Sequence, residues 1–270
     1  MITLLCPVCQ DPLEKENTCL RCKNGHSFDV ARQGYINLLP ASQKHSLHPG
    51  DTREMVAARR RFLSTGHYAP IAENVCTLLQ TYAPEAKSLL DIGCGEGYYT
   101  RAIAEAHPAP ERWGMDISKD AVRYCAGKDK QGHFFVGTAA HLPFEDESFS
   151  VLLSMFALTC PEEFARVLEH HGIFIQVLAG EGHLPALKRI IYPELHHKQK
   201  QSHMDLPGFT RIAEQTLEFS FTLNDAQSVS DLLSMTPHVW RISKEGAERL
   251  SQTQTLCDTA QVILNVYQKE

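Results

Sequence analysis

The sequence predicts an α/β protein, a mostly parallel sheet flanked by helices, with a small cysteine-rich unit ahead of it. Two observations carry that expectation. From about residue 69 onward, short apolar runs alternate with stretches of helical spacing. Before residue 35, Cys6, Cys9, Cys19, Cys22 and His26 crowd together among turn-forming residues. Bulk composition agrees: 43% of the 270 residues are hydrophobic and 21% charged, as in ordinary globular proteins and unlike disordered or fibrous ones. No run approaches the roughly 18 apolar residues of a membrane helix. The longest, residues 151–158, is short and contains Ser154. The apolar start of the chain gives way at Cys6 to a polar segment, so it reads as no signal peptide. A cytoplasmic location is expected, where the nine cysteines stay reduced and clustered ones serve metals more readily than disulfides.

Three regions follow one another: a zinc-binding ribbon at 1–34, a basic connector with a helix at 35–68, and the α/β domain at 69–270. In the first, Cys6-Pro7-Val8-Cys9 is a short turn that can aim two thiolates at one ion. Two closures complete a tetrahedral zinc site: Cys6, Cys9, Cys19 and Cys22, or Cys6, Cys9, Cys22 and His26. Either set uses four protein ligands and leaves no open position for a reacting water, so the role is structural. In so short a segment the metal supplies most of the folding energy, on the order of 10 kcal/mol.

The connector contains Pro40, Pro49 and Gly50 and then a predicted helix over 53–63. Residues 1–70 hold nine Lys/Arg against six Asp/Glu, a net of +3, while the remaining 200 hold 17 against 26, a net of −9. A basic front on an acidic body points toward a polyanion. Arg59, Arg60 and Arg61 cannot share one helix face, because neighbours are spaced about 100° apart. One or two, Arg59 and Arg60 foremost, are expected on phosphate, with another solvated or paired to an acid such as Glu54.

Beyond Pro70, apolar residues Ile71, Val75, Leu78, Leu79 and Tyr82 have helical spacing. A strand is expected at 88–92, a helix at 98–106, a strand at 112–116, and a helix to residue 126 capped by Ser118. Strands follow at 134–137, 149–155 and 173–178, with a helix at 161–168 between the last two. Near the end a strand is expected at 217–223, a helix capped by Asn224 up to Met235, and a final strand at 258–267.

The segment 89–100, LLDIGCGEGYYT, carries most of the functional argument. A strand runs straight into Gly93, Gly95 and Gly97, and a helix opens after them. Glycines belong where the backbone turns sharply and must approach a ligand without a Cβ in the way. Asp116 ends the next strand, nineteen residues past Gly97, where a carboxylate can accept hydrogen bonds from both hydroxyls of a ribose. A dinucleotide fingerprint has GxGxxG spacing. Here the spacing is GxGxG with Asp91 two residues earlier, which resembles the first motif of class I methyltransferases and implies S-adenosylmethionine. The small residues at 137–140 would leave room for an adenine ring, as that resemblance implies, and His141-Leu142-Pro143-Phe144 resembles the segment before such enzymes' fourth strand.

With ribbon, basic connector and glycine loop on one chain, the sequence resembles the bacterial 23S ribosomal RNA guanine-N1 methyltransferases along nearly its whole length. The resemblance runs through His26-Ser27-Phe28-Asp29, Gly34 to Pro40, Pro49-Gly50-Asp51, Ala58-Arg59-Arg60, Phe62-Leu63, Gly66-His67-Tyr68, the glycine loop, Met235-Thr236-Pro237 and Trp240-Arg241. It implies a class I Rossmann-like domain with a mostly parallel seven-stranded sheet, Cys6, Cys9, Cys22 and His26 as the structural zinc ligands, and Tyr68, Gly95, Glu96 and His183 at the cofactor. It further implies a homodimer whose ribbons border an RNA-binding cleft. The activity implied is methyl transfer from S-adenosylmethionine to N1 of a specific guanine in a 23S rRNA hairpin loop. Two segments depart from the family: Phe156-Ala157-Leu158 replaces a Tyr-Ala-Pro-like stretch near the acceptor base, and Glu169-His170-His171-Gly172 replaces a Lys-Pro-Gly-Gly-like turn.

Such a reaction asks the protein mainly to position the acceptor nitrogen. Guanine N1 carries a proton near neutral pH, so a base or a group polarising O6 assists, and the base must be unpaired or flipped. No residue is singled out as that base; Phe156 can stack on the guanine or belong to the core. His170-His171 and His196-His197 read as exposed loop residues. Two other readings stay open: a methyltransferase acting on a small molecule or a different RNA, and a non-catalytic RNA-binding protein with a vestigial pocket.

Overall fold

The structure, a computed structural model, describes residues 2–44, 46, 49–106, 111–192 and 206–270. His196-His197 lie outside the described residues. The front of the chain forms a three-stranded antiparallel sheet, β1 (Glu14–Glu16), β2 (Cys19–Arg21) and β3 (Ser27–Asp29). Its strands are too short to bury a core of their own. The unit leans instead on the main body: Leu4 bridges to Phe144, the Leu5 amide donates to the Pro143 carbonyl at 2.8 Å, and Leu4 and Leu13 join a cluster with Trp113, Phe135 and Phe144. Within that cluster Trp113 and Phe144 meet edge to face at 5.2 Å, a geometry worth about 1 kcal/mol beyond area burial.

The main body is a sheet of eight strands. In chain order the elements are β4 (Ile36–Asn37), α1 (Arg53–Ser64), α2 (Ala69–Tyr82), β5 (Ser88–Ile92), α3 (Tyr98–Ala106), β6 (Glu111–Asp116), α4 (Lys119–Lys128), β7 (His133–Val136), β8 (Phe149–Met155), α5 (Pro161–Val167), β9 (Leu168–Ala179), α6 (Pro185–Ile191), β10 (Phe209–Leu223), α7 (Ala226–Ser234), α8 (Lys244–Ser251) and β11 (Leu256–Lys269). The spatial order is β10-β11-β9-β8-β5-β6-β7-β4. Strands β4 to β9 run parallel, and β11 and β10 close one side antiparallel. Seven strands form the class I methyltransferase sheet. The eighth, β4, comes from the connector, where Ile36 and Asn37 pair with Phe135 and Val136. That pairing brings the connector to the carboxyl edge of the sheet.

β5 is buried at every position, as an interior parallel strand covered by helices on both faces requires. Ser118 caps α4 by accepting from the Ala121 amide. The cap of α7 differs from expectation: Asp225, not Asn224, accepts from the Ser228 amide, although β10 ends at Leu223 as expected. β10 also begins at Phe209 rather than 217, since the whole strand pairs with β11 although most of its side chains are exposed. Two helices were not anticipated. α6 starts with Pro185 at its first position, and α8 is capped by Ser243. Each has a start signal, a proline or a serine cap, but they are only seven and eight residues long, too short for apolar spacing to stand out. His170 and His171 are exposed, as expected, though within the start of β9 rather than a loop.

Candidate active site and metal centre

At the front, the ligand atoms of Cys6, Cys9, Cys22 and His26 all lie within 4.8 Å of one another. Cys9 Sγ to Cys22 Sγ is 3.7 Å, and His26 Nδ1 is 3.5 Å from Cys6 Sγ and 3.4 Å from Cys22 Sγ. For metal bonds of about 2.3 Å to sulfur and 2.0 Å to nitrogen, a tetrahedron has edges of about 3.8 Å between sulfurs and about 3.5 Å between sulfur and nitrogen. The donor set therefore fits zinc in chemistry and in spacing. Cys19 stands apart, its thiol donating to the Glu16 carbonyl at 3.3 Å. Of the two closures open to the sequence, the fold assembles the three-cysteine, one-histidine set.

The glycine loop occupies the carboxyl end of β5. Gly93, Gly95 and Gly97 all have positive φ, at 82°, 56° and 84°. Two of them are also packed: a Cβ on Gly93 would sit 2.5 Å from Ala157 Cβ, and one on Gly97 would sit 2.3 Å from Cys125 Sγ. Gly95 is different, with only Arg59 Cδ near, at 3.9 Å. Its backbone is left open toward a cavity of about 270 Å³.

That cavity is bounded by segments remote in sequence. Asp91 comes from β5, Gly93, Gly95 and Glu96 from the loop after it, Tyr68 and Arg59 from the connector, Phe156 and His183 from beyond the ends of β8 and β9, and Met235, Thr236 and Pro237 from beyond α7. Asp91 is 1% exposed and accepts from Thr100 Oγ at 2.5 Å through Oδ2, while its Oδ1 is buried without a hydrogen-bond partner. Burial pushes the Asp91 carboxyl up to about 6; the Thr100 hydroxyl opposes this and the nearby Asp116 charge adds to it. An orphaned carboxylate oxygen facing a cavity calls for a cation, and an ammonium group meets that demand. Glu96 pairs with Arg101 at 3.0 Å through one carboxylate oxygen, Oε2.

Asp116 ends β6. Its Oδ2 accepts from the Gly95 amide at 3.0 Å and its Oδ1 from the Ser118 amide at 2.8 Å. Burial raises its carboxyl despite those two bonds. A carboxylate offers about four acceptor positions, so two remain for the hydroxyls of a ribose. Asp116 and Gly97 do not line the cavity that holds Asp91. A second cavity begins beyond them, bounded by Ile117, Ser118, Val136, Pro49, Asp51 and Thr52. Gly137, at the end of β7, is packed on Phe135, whose ring a Cβ would approach to 2.9 Å. Tyr68 is 2% exposed, its hydroxyl 3.4 Å from His183 Nε2, and burial raises its phenol. At the mouth, Phe156 has φ 56° and is 38% exposed, its ring tilted 33° to that of His183 at 6.1 Å. A positive φ is costly for an aromatic residue, and here it turns the ring out of the strand into the cavity wall rather than into the core.

The three neighbouring arginines point three ways. Arg59 turns into the cavity and donates to Asp51 Oδ2 at 2.7 Å and to the Met235 carbonyl at 3.2 Å. Arg60 is exposed and lies 5.0 Å over the Tyr124 ring. Arg61 forms a two-pronged pair with Asp231, at 2.8 and 2.6 Å, rather than pairing with Glu54. Sequence reasoning did not place Arg59, Tyr99, Lys188 or His238 at the cavity. Nothing local marks the last two, since the turns that bring them there are set by β9 and α7.

Comparison with known proteins agrees with this arrangement. Residues 4–47 match a family model described as RlmA, N-terminal, and residues 89–172 match one described as Methyltransferase domain. A 23S rRNA (guanine(748)-N(1))-methyltransferase from Streptomyces fradiae is 32% identical over 243 residues, covering 88% of this chain and 85% of the relative. A Bacillus subtilis protein is 29% identical over 269 residues, covering 95% of this chain and 94% of the relative. Among solved structures, a Haemonchus contortus phosphoethanolamine N-methyltransferase 2 shares the fold with a TM-score of 0.50 at 15% identity, over 81% of this chain and 58% of that one. Ribbon, glycine loop and full-length similarity converge, and the chain belongs to the 23S rRNA (guanine-N1)-methyltransferase family.

Proposed function

We propose that this protein transfers a methyl group from S-adenosylmethionine to N1 of a guanine in a hairpin loop of 23S rRNA, with the zinc ribbon and connector presenting that loop to the cavity. One observation carries the reading. Gly66-His67-Tyr68 and Met235-Thr236-Pro237, the segments that mark the family more specifically than the glycine loop all class I enzymes share, contribute residues with that loop to a single cavity at the carboxyl edge of the sheet. A small-molecule enzyme would need the glycine loop but neither the ribbon nor the connector strand.

In this reading Asp91, Gly93, Gly95, Glu96, Gly97 and Asp116 hold the cofactor, with Tyr68 and His183 closing over it. When bound, the cofactor supplies a sulfonium-activated methyl group with a good leaving group behind it. The protein's part is placement and exclusion of water. Asp91 offers its unpartnered oxygen to the amino group, and Asp116 retains acceptor capacity for the ribose. The backbone at Gly95 lets the ligand lie flush against the loop. Phe156, half out of the cavity mouth, offers a face on which an extruded base can stack, while Arg60 is placed to meet RNA phosphate. A homodimer in the cytoplasm belongs to the same proposal. No described helix is long and apolar enough to cross a membrane, and light scattering on the purified protein reports the dimer directly.

The test is primer extension by reverse transcriptase across 23S rRNA from cells with and without the gene. N1 methylation blocks the Watson–Crick edge and stops the enzyme at one position. The stop should vanish with the gene, return with the unaltered protein, and fail to return with Asp116→Ala, whose cofactor affinity should fall about ten- to hundredfold. Identical patterns in both strains overturn the guanine-N1 assignment.

A further inference from the structure

The sequence places Arg59 with the RNA-facing residues, but the fold buries most of it beside the cofactor loop. We propose that Arg59 receives the carboxylate of the amino-acid end of S-adenosylmethionine, so that the connector, and not the methyltransferase core alone, completes the cofactor site. This rests on the methyltransferase reading above.

Several observations meet at this residue. Its side chain is 27% exposed and lines the same cavity as Asp91 and Gly95. Its stem runs past Gly95, 3.9 Å from where a Cβ would stand. Both of its hydrogen bonds, to Asp51 and to the Met235 carbonyl, leave from Nη2, whereas Nε is buried with no partner. A guanidinium carries five donors in a rigid fork, and with both Nη2 hydrogens engaged by Asp51 and Met235, Nε and Nη1 are the ones that can meet a carboxylate. A buried donor left unmatched is costly, and sites of this kind exist to be filled. Across the cavity wall Asp91 presents the converse, a buried acceptor oxygen with no donor. One unmatched acceptor on Asp91 and one unmatched donor on Arg59, bounding the same space, are complementary to a zwitterion, a ligand end bearing both ammonium and carboxylate. An RNA phosphate fits less well. Arg59 is only 27% exposed and is turned into the cavity, whereas its neighbour Arg60 is exposed over the Tyr124 ring.

The test compares two ligands by calorimetry on the full-length, zinc-loaded protein. The first is S-adenosylhomocysteine; the second is the same thioether with its amine but without its carboxylate. The unaltered protein should prefer the carboxylate-bearing ligand about ten- to hundredfold. Arg59→Gln should abolish that preference while leaving affinity for the second ligand unchanged, and Arg59→Lys, which keeps the charge but not the fork, should restore part of it. The proposal is overturned if Arg59→Gln weakens both ligands equally, which marks a structural role, or if it leaves both unchanged and lowers RNA affinity instead. If the unaltered protein binds neither ligand, the methyltransferase reading fails first and this inference falls with it.

Discussion

At the scale of single residues, Asp91 shows how a site is held at a cost to the fold. Its carboxyl, pushed up to about 6 by burial, keeps a proton over a range where the unfolded chain has lost it. Stability contributed by that proton is therefore complete below the ordinary carboxylate range, declines as pH rises, and is gone above about 6. In the ligand-free protein at neutral pH the residue is a buried, half-bonded charge. Asp91→Asn keeps an acceptor for the Thr100 hydroxyl and removes the charge, so it should raise the melting temperature at pH 7.5, by an amount that shrinks below pH 5. A gap of about two pKa units corresponds to about 3 kcal/mol as an upper figure. The same substitution should weaken S-adenosylhomocysteine binding, and in the unaltered protein that binding should fade as pH drops through about 6. Differential scanning fluorimetry and calorimetry across pH read both effects. A destabilised Asp91→Asn would mean that the carboxylate serves the fold rather than the ligand.

At the scale of elements, two small devices do disproportionate work. β1 to β3 total nine residues with no core of their own, so beyond the docking of Leu4 and Leu13 on the main body the metal centre is expected to hold them. One zinc per chain is expected by colorimetric assay after chelation. Cys22→Ser should lose it and Cys19→Ser should keep it, because the Cys19 thiol hangs on a backbone carbonyl outside the cluster. The second device is the Arg61–Asp231 pair, which ties α1 to α7 and so keeps Met235 over the cavity. Asp231 is nearly buried, at 4% side-chain exposure, while Arg61 is about half exposed, at 48%. Removing the arginine strands the acid; screening at the exposed partner limits the loss to about 1–2 kcal/mol. Denaturant melts of Arg61→Ala against Arg61→Ala/Asp231→Asn should show the double variant recovering part of that loss.

For the whole molecule the governing quantity is charge distribution. A chain of net charge −6 that engages RNA must do so through its basic front. RNA affinity should therefore fall with salt along a linear log–log plot, and Arg60→Gln should lower the slope by about 0.7, the value for one phosphate contact on a single strand. Filter binding at several salt concentrations measures it. An unchanged slope would remove Arg60 from the RNA interface and turn the search to other cations of the ribbon and connector.

What could be read from the residues alone was the chemistry carried by short-range pattern. The GxGxG turn after a buried strand, the acid ending the next strand and the CxxC turn are all contained within a few residues, where spacing and backbone geometry are bound together. The alternation of β5 through β9 with their helices was legible for the same reason, since periodicity survives in any window longer than a few turns. Tertiary structure decided the rest. Three adjacent arginines look alike in sequence, and only the packing of α1 between the glycine loop, α4 and α7 sends one to the cavity, one to an aromatic ring and one to an acid. The choice between Cys19 and His26 likewise depended on where β2 carries its first residue. The two-residue strand β4 has no periodicity of its own, and the edge of β7 alone makes it part of the sheet. Local sequence specifies conformation and donor type. Which partner each group meets is set by contacts between segments a hundred or more residues apart, such as Arg61 with Asp231 and Tyr68 with His183.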